Sequence, residues 1–219
     1  MTDTKQIPKL ILGNKTYSSW SLRGGLLVRL AGLDCEEVVI PLRRADTRAR
    51  ILEYSPAGKV PTLIVEGEAI WDSLSIAEYL AERFPGKNLW PNDPAARRLA
   101  RCVTAEMHSG FTALRSALPM DLSRHSPGHP VAAAVQTDID RIQKIWRDCR
   151  QRFGSDGGFL FGAAGIADAF YAPVVVRFKT YDVKLDSVAA AYCDVISDWP
   201  PMQDWARDAA GETEIIVFD

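Results

Sequence analysis

Lys59-Val60-Pro61-Thr62-Leu63, followed further on by Asp72-Ser73, is the stretch on which the reading of this chain turns. The residue before a proline is held extended, and the apolar run from Thr62 to Val65 reads as a short strand. Asp72-Ser73 then puts an acid and a hydroxyl at the head of a helix-patterned run. A helix start offers unpaired N–H groups and a partial positive charge, which suit a carboxylate. Asp72 can take an ammonium, and the backbone beside Pro61 can pair with an extended peptide as a neighbouring strand would. Together these features fit a small ligand with an α-amino-acid head and a peptide middle. Each also has a plain structural reading: Asp72-Ser73 as a helix cap, Ser75-x-x-Glu78 as a capping box, and Val60-Pro61 as a trans entry to an edge strand. Their order and spacing, taken together, point to a site.

Outward from that stretch, the first third alternates strand-like and helix-like pieces. Leu10-Ile11-Leu12 reads as a buried strand leading into a polar turn, Asn14 to Ser19. A helix follows from about Ser21 to Ala31, with Leu22, Leu26, Leu27 and Leu30 on one side and Gly32 as its stop. Gly24-Gly25 inside it is costly for a helix and calls for a close approach of backbone or ligand. Glu36 to Leu42 is a second strand, and a charged helix spans about Asp46 to Tyr54. Thr62 to Val65 and Ala69 to Trp71 flank a hairpin turn at Glu66-Gly67-Glu68. Ser73 to Phe84 is a third helix. The order is β-α-β-α-β-β-α.

Between Pro85 and Pro94 the chain becomes rich in proline, glycine and asparagine, as a linker would be, and Asp93-Pro94 makes a good start for a new helix. Beyond it the pattern is helical, roughly over 94–118, 130–153, 166–180, 187–196 and 201–209. The sequence thus divides into an α/β domain over 1–85 and an all-α domain over 86–219.

The chain has 219 residues, enough for two cores, and a net charge of −2. That charge argues against nucleic acid or an acidic membrane surface as a partner. No apolar run approaches the roughly 20 residues of a membrane span. Met1-Thr2-Asp3-Thr4-Lys5 lacks the apolar core of a secretory leader, so a cytoplasmic location is expected. Cys35, Cys102, Cys149 and Cys193 are scattered, which excludes a dithiol redox motif and the common zinc patterns. His125 and His129 lie in a Pro/Gly-rich loop with no third ligand, and no metal is expected.

The strand and helix order, Ser-Pro-x-Gly-x-Val-Pro at 55–61, Asp72-Ser73 and the helical second half resemble the cytosolic glutathione transferases, over essentially the whole chain. The resemblance implies a thioredoxin-like first domain, a cis Val60-Pro61 bond, and glutathione as cosubstrate. Val60 would pair with the cysteinyl part of glutathione, Asp72 and Ser73 would hold the γ-glutamyl end, and Lys59 would lie near the glycine carboxylate or stand as a solvated lysine. Phe161-Gly162 and Gly165-Ile166-Ala167-Asp168 resemble the family's helix-start box, with Gly165 where serine or threonine is usual; Asp168 is then a folding residue. A two-fold homodimer is implied as well.

Tyr17-Ser18-Ser19-Trp20-Ser21-Leu22-Arg23 sits where that family keeps its thiol-activating residue, and its spacing resembles the zeta-like Ser-Ser-Cys-x-x-Arg pattern. Mapped through Arg23, the acting serine is Ser18, with Ser19 as the runner-up and Tyr17 third; Ser21 is read as the helix cap, and Arg23 either as a helix-surface ion-pair former or as a residue facing an incoming carboxylate. Trp20 replaces the pattern's cysteine, which argues against cysteine-based thiol exchange, and Leu22 departs from the maleylacetoacetate-isomerase version. Met107, His108, Phe111 and Arg115 are candidates to line the acceptor site, although Met107, Phe111 and Leu114 also suit a core. Arg43, Arg44, Arg48 and Arg50 read as a solvated basic face, one of them able to meet the glycine carboxylate. Three functions follow: conjugation of glutathione to small electrophiles, a glutathione-dependent cis–trans isomerase, or a glutathione- or partner-binding module with little catalysis.

Overall fold

In the computed structural model, which describes residues 6–217, the first seven regular elements follow the order read from the sequence. They are β1 (Lys9–Leu12), α1 (Ser19–Ala31), β2 (Glu36–Val39), α2 (Thr47–Leu52), β3 (Thr62–Val65), β4 (Glu68–Ile70) and α3 (Ser73–Arg83). Residues 1–5, on which the leader argument rests, lie outside the described residues. The strands form one mixed sheet in the order β2-β1-β3-β4, with β1 parallel to β2 and antiparallel to β3, and β3 antiparallel to β4.

The alternation of side chains along a strand explains why β1 is apolar from Leu10 to Leu12, both faces of that run being covered. Leu10 and Leu12 point to the main core, with α1 and α3, whereas Ile11 points to the other face and a small cluster with Ile40 and Ile51 of α2. The hairpin turns at Glu66 and Gly67, both at positive φ (55° and 84°), the backbone of a two-residue primed turn.

After a short 3-10 turn at Pro85–Lys87, six α-helices follow among the described residues: α4 (Pro94–Ser109), α5 (Thr112–Ala117), α6 (Ala133–Phe153), α7 (Ile166–Thr180), α8 (Ser187–Asp198) and α9 (Pro200–Ala210). None is long and apolar enough to cross a membrane. Asp93 caps α4 as the sequence predicts, its Oδ1 accepting from Ala96 N at 2.7 Å. The helix predicted over 94–118 is two helices, because Gly110 is extended and Phe111 is left-handed at φ 58°. The Arg115 guanidinium holds that break by donating to the carbonyls of His108 and Gly110, both at 3.2 Å, which supplies partners for the end of α4.

The helix α7 is buried along nearly its whole length and packs against α1 and α4. Its start is ordered by Asp168, whose carboxylate accepts from Gly165 N at 2.9 Å, Leu160 N at 3.1 Å and the Tyr192 hydroxyl at 3.0 Å. Burial pushes the Asp168 pKa up to about 6, against the opposing pull of those three donors.

The Gly24-Gly25 pair also has its reason. A Cβ at Gly24 would stand 2.7 Å from Cβ of Pro61, and one at Gly25 would stand 2.1 Å from the Trp205 ring. Two neighbours, the motif proline and a tryptophan of α9, approach α1 too closely for any side chain.

Candidate active site

The register of the sheet brings the motif segments to one edge. Ile11 pairs with Thr62 and Leu63 with Ile70, so the end of β1, the start of β3 and the end of β4 lie side by side. The loop 13–18, the Val60–Pro61 bond and Asp72-Ser73 leave the sheet at that edge. The Val60–Pro61 bond is cis, and the backbone N–H and C=O of Val60 have no hydrogen-bond partner among the described residues. Lys59 is exposed, with no ion pair for its ammonium among the described residues.

Asp72 is the N-cap of α3, its Oδ1 accepting from Leu74 N at 3.0 Å, while its Oδ2 lies 3.0 Å from Nε2 of His108 on α4. Ser75 is inside the helix, so the alternative box at Ser75-x-x-Glu78 does not form. Ser73 is fully buried and its hydroxyl has no partner, an unmet donor and acceptor at a helix start.

The loop after β1 corrects one detail. The helix α1 begins at Ser19, and its cap is Ser18, which accepts from Ser21 N at 3.2 Å. Ser21 is therefore not the cap. Its hydroxyl oxygen accepts from Gly13 N at 2.8 Å and shares a hydrogen bond with the Ser18 hydroxyl, also at 2.8 Å. The cap falls on Ser18 because the chain turns at Asn14, whose carbonyl accepts from Ser18 N at 2.9 Å. Ser18 and Ser19 are 7% and 8% exposed, and the Ser19 hydroxyl makes no hydrogen bond among the described residues. Either hydroxyl of the Ser18–Ser21 pair can donate to the other. When Ser21 donates, Ser18 has two donors facing its oxygen and its own proton is free for a ligand.

Trp20, which stands in place of a cysteine, is the centre of a cationic cluster. The guanidinium groups of Arg23 and Arg115 lie 4.4 Å and 4.5 Å from its ring centroid, and the His108 ring meets it edge-on at 5.3 Å. Arg23 is fully buried, the reverse of the surface ion pair expected from sequence. Its Nε donates to the Phe170 carbonyl at 3.3 Å and one terminal nitrogen has no partner. Burial first, then the charges of Arg115 and Arg177, holds its pKa well below the ordinary arginine value. Burial likewise pushes Arg177 down to about 9. No carboxylate forms an ion pair with Arg23, Arg115 or Arg177 among the described residues.

Of the predicted acceptor-side residues, His108 and Arg115 meet the first turn of α1 at Trp20, while Met107, Phe111 and Leu114 belong to the core. Arg44 pairs with Glu214 at 3.1 Å and Arg50 faces Asp46 at 3.9 Å, which leaves the basic run largely engaged. Sequence reasoning missed the contribution of Ser21 as an acceptor, the His108–Asp72 pair, and the hold of the C-terminal segment on loop 14–16. No sequence pattern in residues 212–217, Glu-Thr-Glu-Ile-Ile-Val, signals the last of these.

Comparison with known proteins gives two family-model matches. Residues 17–83 match the family model "Glutathione S-transferase, N-terminal domain" and residues 132–208 the corresponding "C-terminal domain". The maleylacetoacetate isomerase of Pseudomonas aeruginosa is 31% identical over 184 residues, covering 82% of this chain and 85% of that protein. The mouse (Mus musculus) maleylacetoacetate isomerase is 34% identical over 185 residues, covering 82% and 83%. Among solved structures, a glutathione transferase homologue from Burkholderia gl BGR1, with bound glutathione, superposes with a TM-score of 0.72 at 21% identity, over 94% of this chain and 100% of that one.

Proposed function

Because this chain belongs to the glutathione S-transferase family, glutathione is its cosubstrate, and we propose that the Ser18 hydroxyl ionises the glutathione thiol for addition to small electrophiles. The observation that carries this reading is the set of unmet polar groups at one sheet edge among the described residues: the Val60 backbone, the Ser73 hydroxyl and the Ser19 hydroxyl at the start of α1. In this reading Val60 pairs with the cysteinyl unit, Ser73 and Asp72 hold the γ-glutamyl head, and Lys59 meets the glycine carboxylate. The sulfur then lies at the start of α1.

A free thiol has a pKa near ~8.5 and is a few per cent thiolate at neutral pH. One hydrogen bond to the anion contributes about 1.5–3 kcal/mol, which lowers the pKa by about one to two units. Ser18 supplies that bond when Ser21 donates to it, in a chain that begins at Gly13 N–H. Such a chain polarises its last member. The rival donor is Ser19, whose hydroxyl is unengaged. Ser18→Ala and Ser19→Ala variants, assayed for conjugation over a panel of electrophiles, separate the two. Ser18→Ala is expected to lose rate about tenfold to a hundredfold at pH 6.5; a full rate in Ser18→Ala with loss in Ser19→Ala transfers the role to Ser19.

A second reading, a glutathione-dependent cis–trans isomerase, is favoured by the cluster of Arg23, Arg115 and Arg177. A group of cations without a carboxylate partner among the described residues, two of them (Arg23 and Arg177) buried, calls for an anionic partner, and maleylacetoacetate, on which the relatives named above act, carries carboxylates. Isomerised product formed without loss of glutathione would select this reading. We further propose that the enzyme works as a two-fold homodimer in the cytoplasm; all four cysteines are free thiols, which suits a reducing compartment. Light scattering at the mass of two chains supports the dimer, and the mass of one chain excludes it.

A further inference from the structure

The loop that carries Ser18 and Ser19 is held from the far end of the chain. Glu212, just past α9, sets its carboxylate on two consecutive loop amides: Oε1 accepts from Lys15 N at 2.6 Å and Oε2 from Thr16 N at 2.9 Å. Lys15 and Thr16 are 7% and 5% exposed, so without Glu212 these donors would be buried and unpaired. Around this contact, Trp205 Nε1 donates to the Lys15 carbonyl at 3.0 Å, the Thr16 hydroxyl donates to the Ala209 carbonyl at 3.2 Å, and Asn14 Nδ2 donates to Glu214 at 2.7 Å. Residues 212–217 alternate between half-buried and exposed, the signature of an extended segment laid down with its even positions inward. The held residues lie directly upstream of the α1 start, where the Asn14 carbonyl takes the N–H of Ser18.

We propose that Glu212 is a positioning residue for thiol activation: by seating both loop amides it fixes where the Ser18 and Ser19 hydroxyls stand. The inference rests on the serine reading above, and it makes the segment after α9 part of the activating apparatus. A simple staple would affect stability alone. Electrostatics alone has the opposite sign, because removing a nearby anion favours the thiolate and lowers its pKa. Loss of position withdraws the hydroxyl and raises it.

The test uses Glu212→Ala and Glu212→Gln in the full chain. It reads amide hydrogen exchange over residues 13–21, the pKa of bound glutathione from thiolate absorbance, and kcat separately from KM. For Glu212→Ala we expect loop exchange to rise at least about tenfold with α6 and α8 unchanged. We expect the bound-thiol pKa to rise by about one unit and kcat at pH 6.5 to fall about tenfold, with the KM for glutathione nearly constant. Glu212→Gln keeps one acceptor oxygen but turns an NH2 donor toward the other loop amide. It should change exchange and thiol pKa in the same direction as the alanine variant and by a smaller amount, and it carries the test if the alanine variant folds poorly. Loop exchange and thiol pKa equal to wild type, or a thiol pKa that falls in both variants, would overturn the proposal. If Ser18→Ala and Ser19→Ala both leave the thiol pKa unmoved, the serine reading fails, while the exchange data still decide whether Glu212 holds the loop.

Discussion

Asp72 carries three duties on two oxygens. It caps α3 through Oδ1, reaches His108 through Oδ2, and in our reading receives the ammonium of glutathione. An asparagine keeps an acceptor for Leu74 N but loses the charge, and asparagine and aspartate cap equally well. Asp72→Asn should therefore change stability by less than about 0.5 kcal/mol while raising the KM for glutathione about tenfold, the value of one charge-assisted hydrogen bond. Urea unfolding and conjugation kinetics on the same preparation check the two halves. An unchanged KM would remove the ammonium from Asp72. At this scale the sequence misled most at arginine: Arg23 looked like a surface residue because its partners, Trp20, Phe170 and a main-chain carbonyl, come largely from elsewhere in the chain.

Among the elements, α1 illustrates how a local penalty becomes a tertiary fit. Alanine is favoured over glycine by roughly 1 kcal/mol in a helix interior, so on propensity alone Gly25→Ala should stabilise. The Trp205 ring 2.1 Å from the would-be Cβ reverses the sign. We expect a loss of about 1–3 kcal/mol in urea unfolding, as for other overpacked sites; a gain would mean that Trp205 is free to move.

The start of α7 makes a prediction on pH. An acid whose folded pKa lies near 6, above its unfolded value, binds its proton more tightly in the folded state. Its ionisation therefore weakens the fold, and stability from this residue rises as pH falls through 6. Relative to Asp168→Asn, wild type should gain on the order of 1 kcal/mol between pH 7.5 and pH 5. A difference that stays constant would show that the three hydrogen bonds, not burial, control the carboxyl.

Most elements were legible in the sequence because their signals are local: the apolar run of β1, the glycine stop at Gly32, the Glu66-Gly67 turn and the Asp93 cap. The break at Gly110–Phe111 was not legible, since Arg115 braces it by returning across the turn. Nor was the exact start of α1, where three serines compete and the turn at Asn14 decides. The motif edge of the site could be read because its spacing lies within one stretch of chain. The acceptor side and the C-terminal hold could not, because residues up to 200 positions apart, Asn14 and Glu214, meet there.

Across the whole molecule, the helical half does more than cover the sheet. His108 touches Asp72, Arg115 lies over Trp20, α9 packs into α1, and Glu212 seats the loop. The geometry that would present a hydroxyl to sulfur is thus shared between both halves of the chain. The most direct test is a pH titration of thiolate absorbance for glutathione bound to the wild-type protein, run beside free glutathione and the Ser18→Ala complex. The account predicts a bound thiol about one to two units below the free value of ~8.5, returning toward that value in Ser18→Ala. A wild-type curve that overlies free glutathione, or the absence of saturable binding, would contradict it.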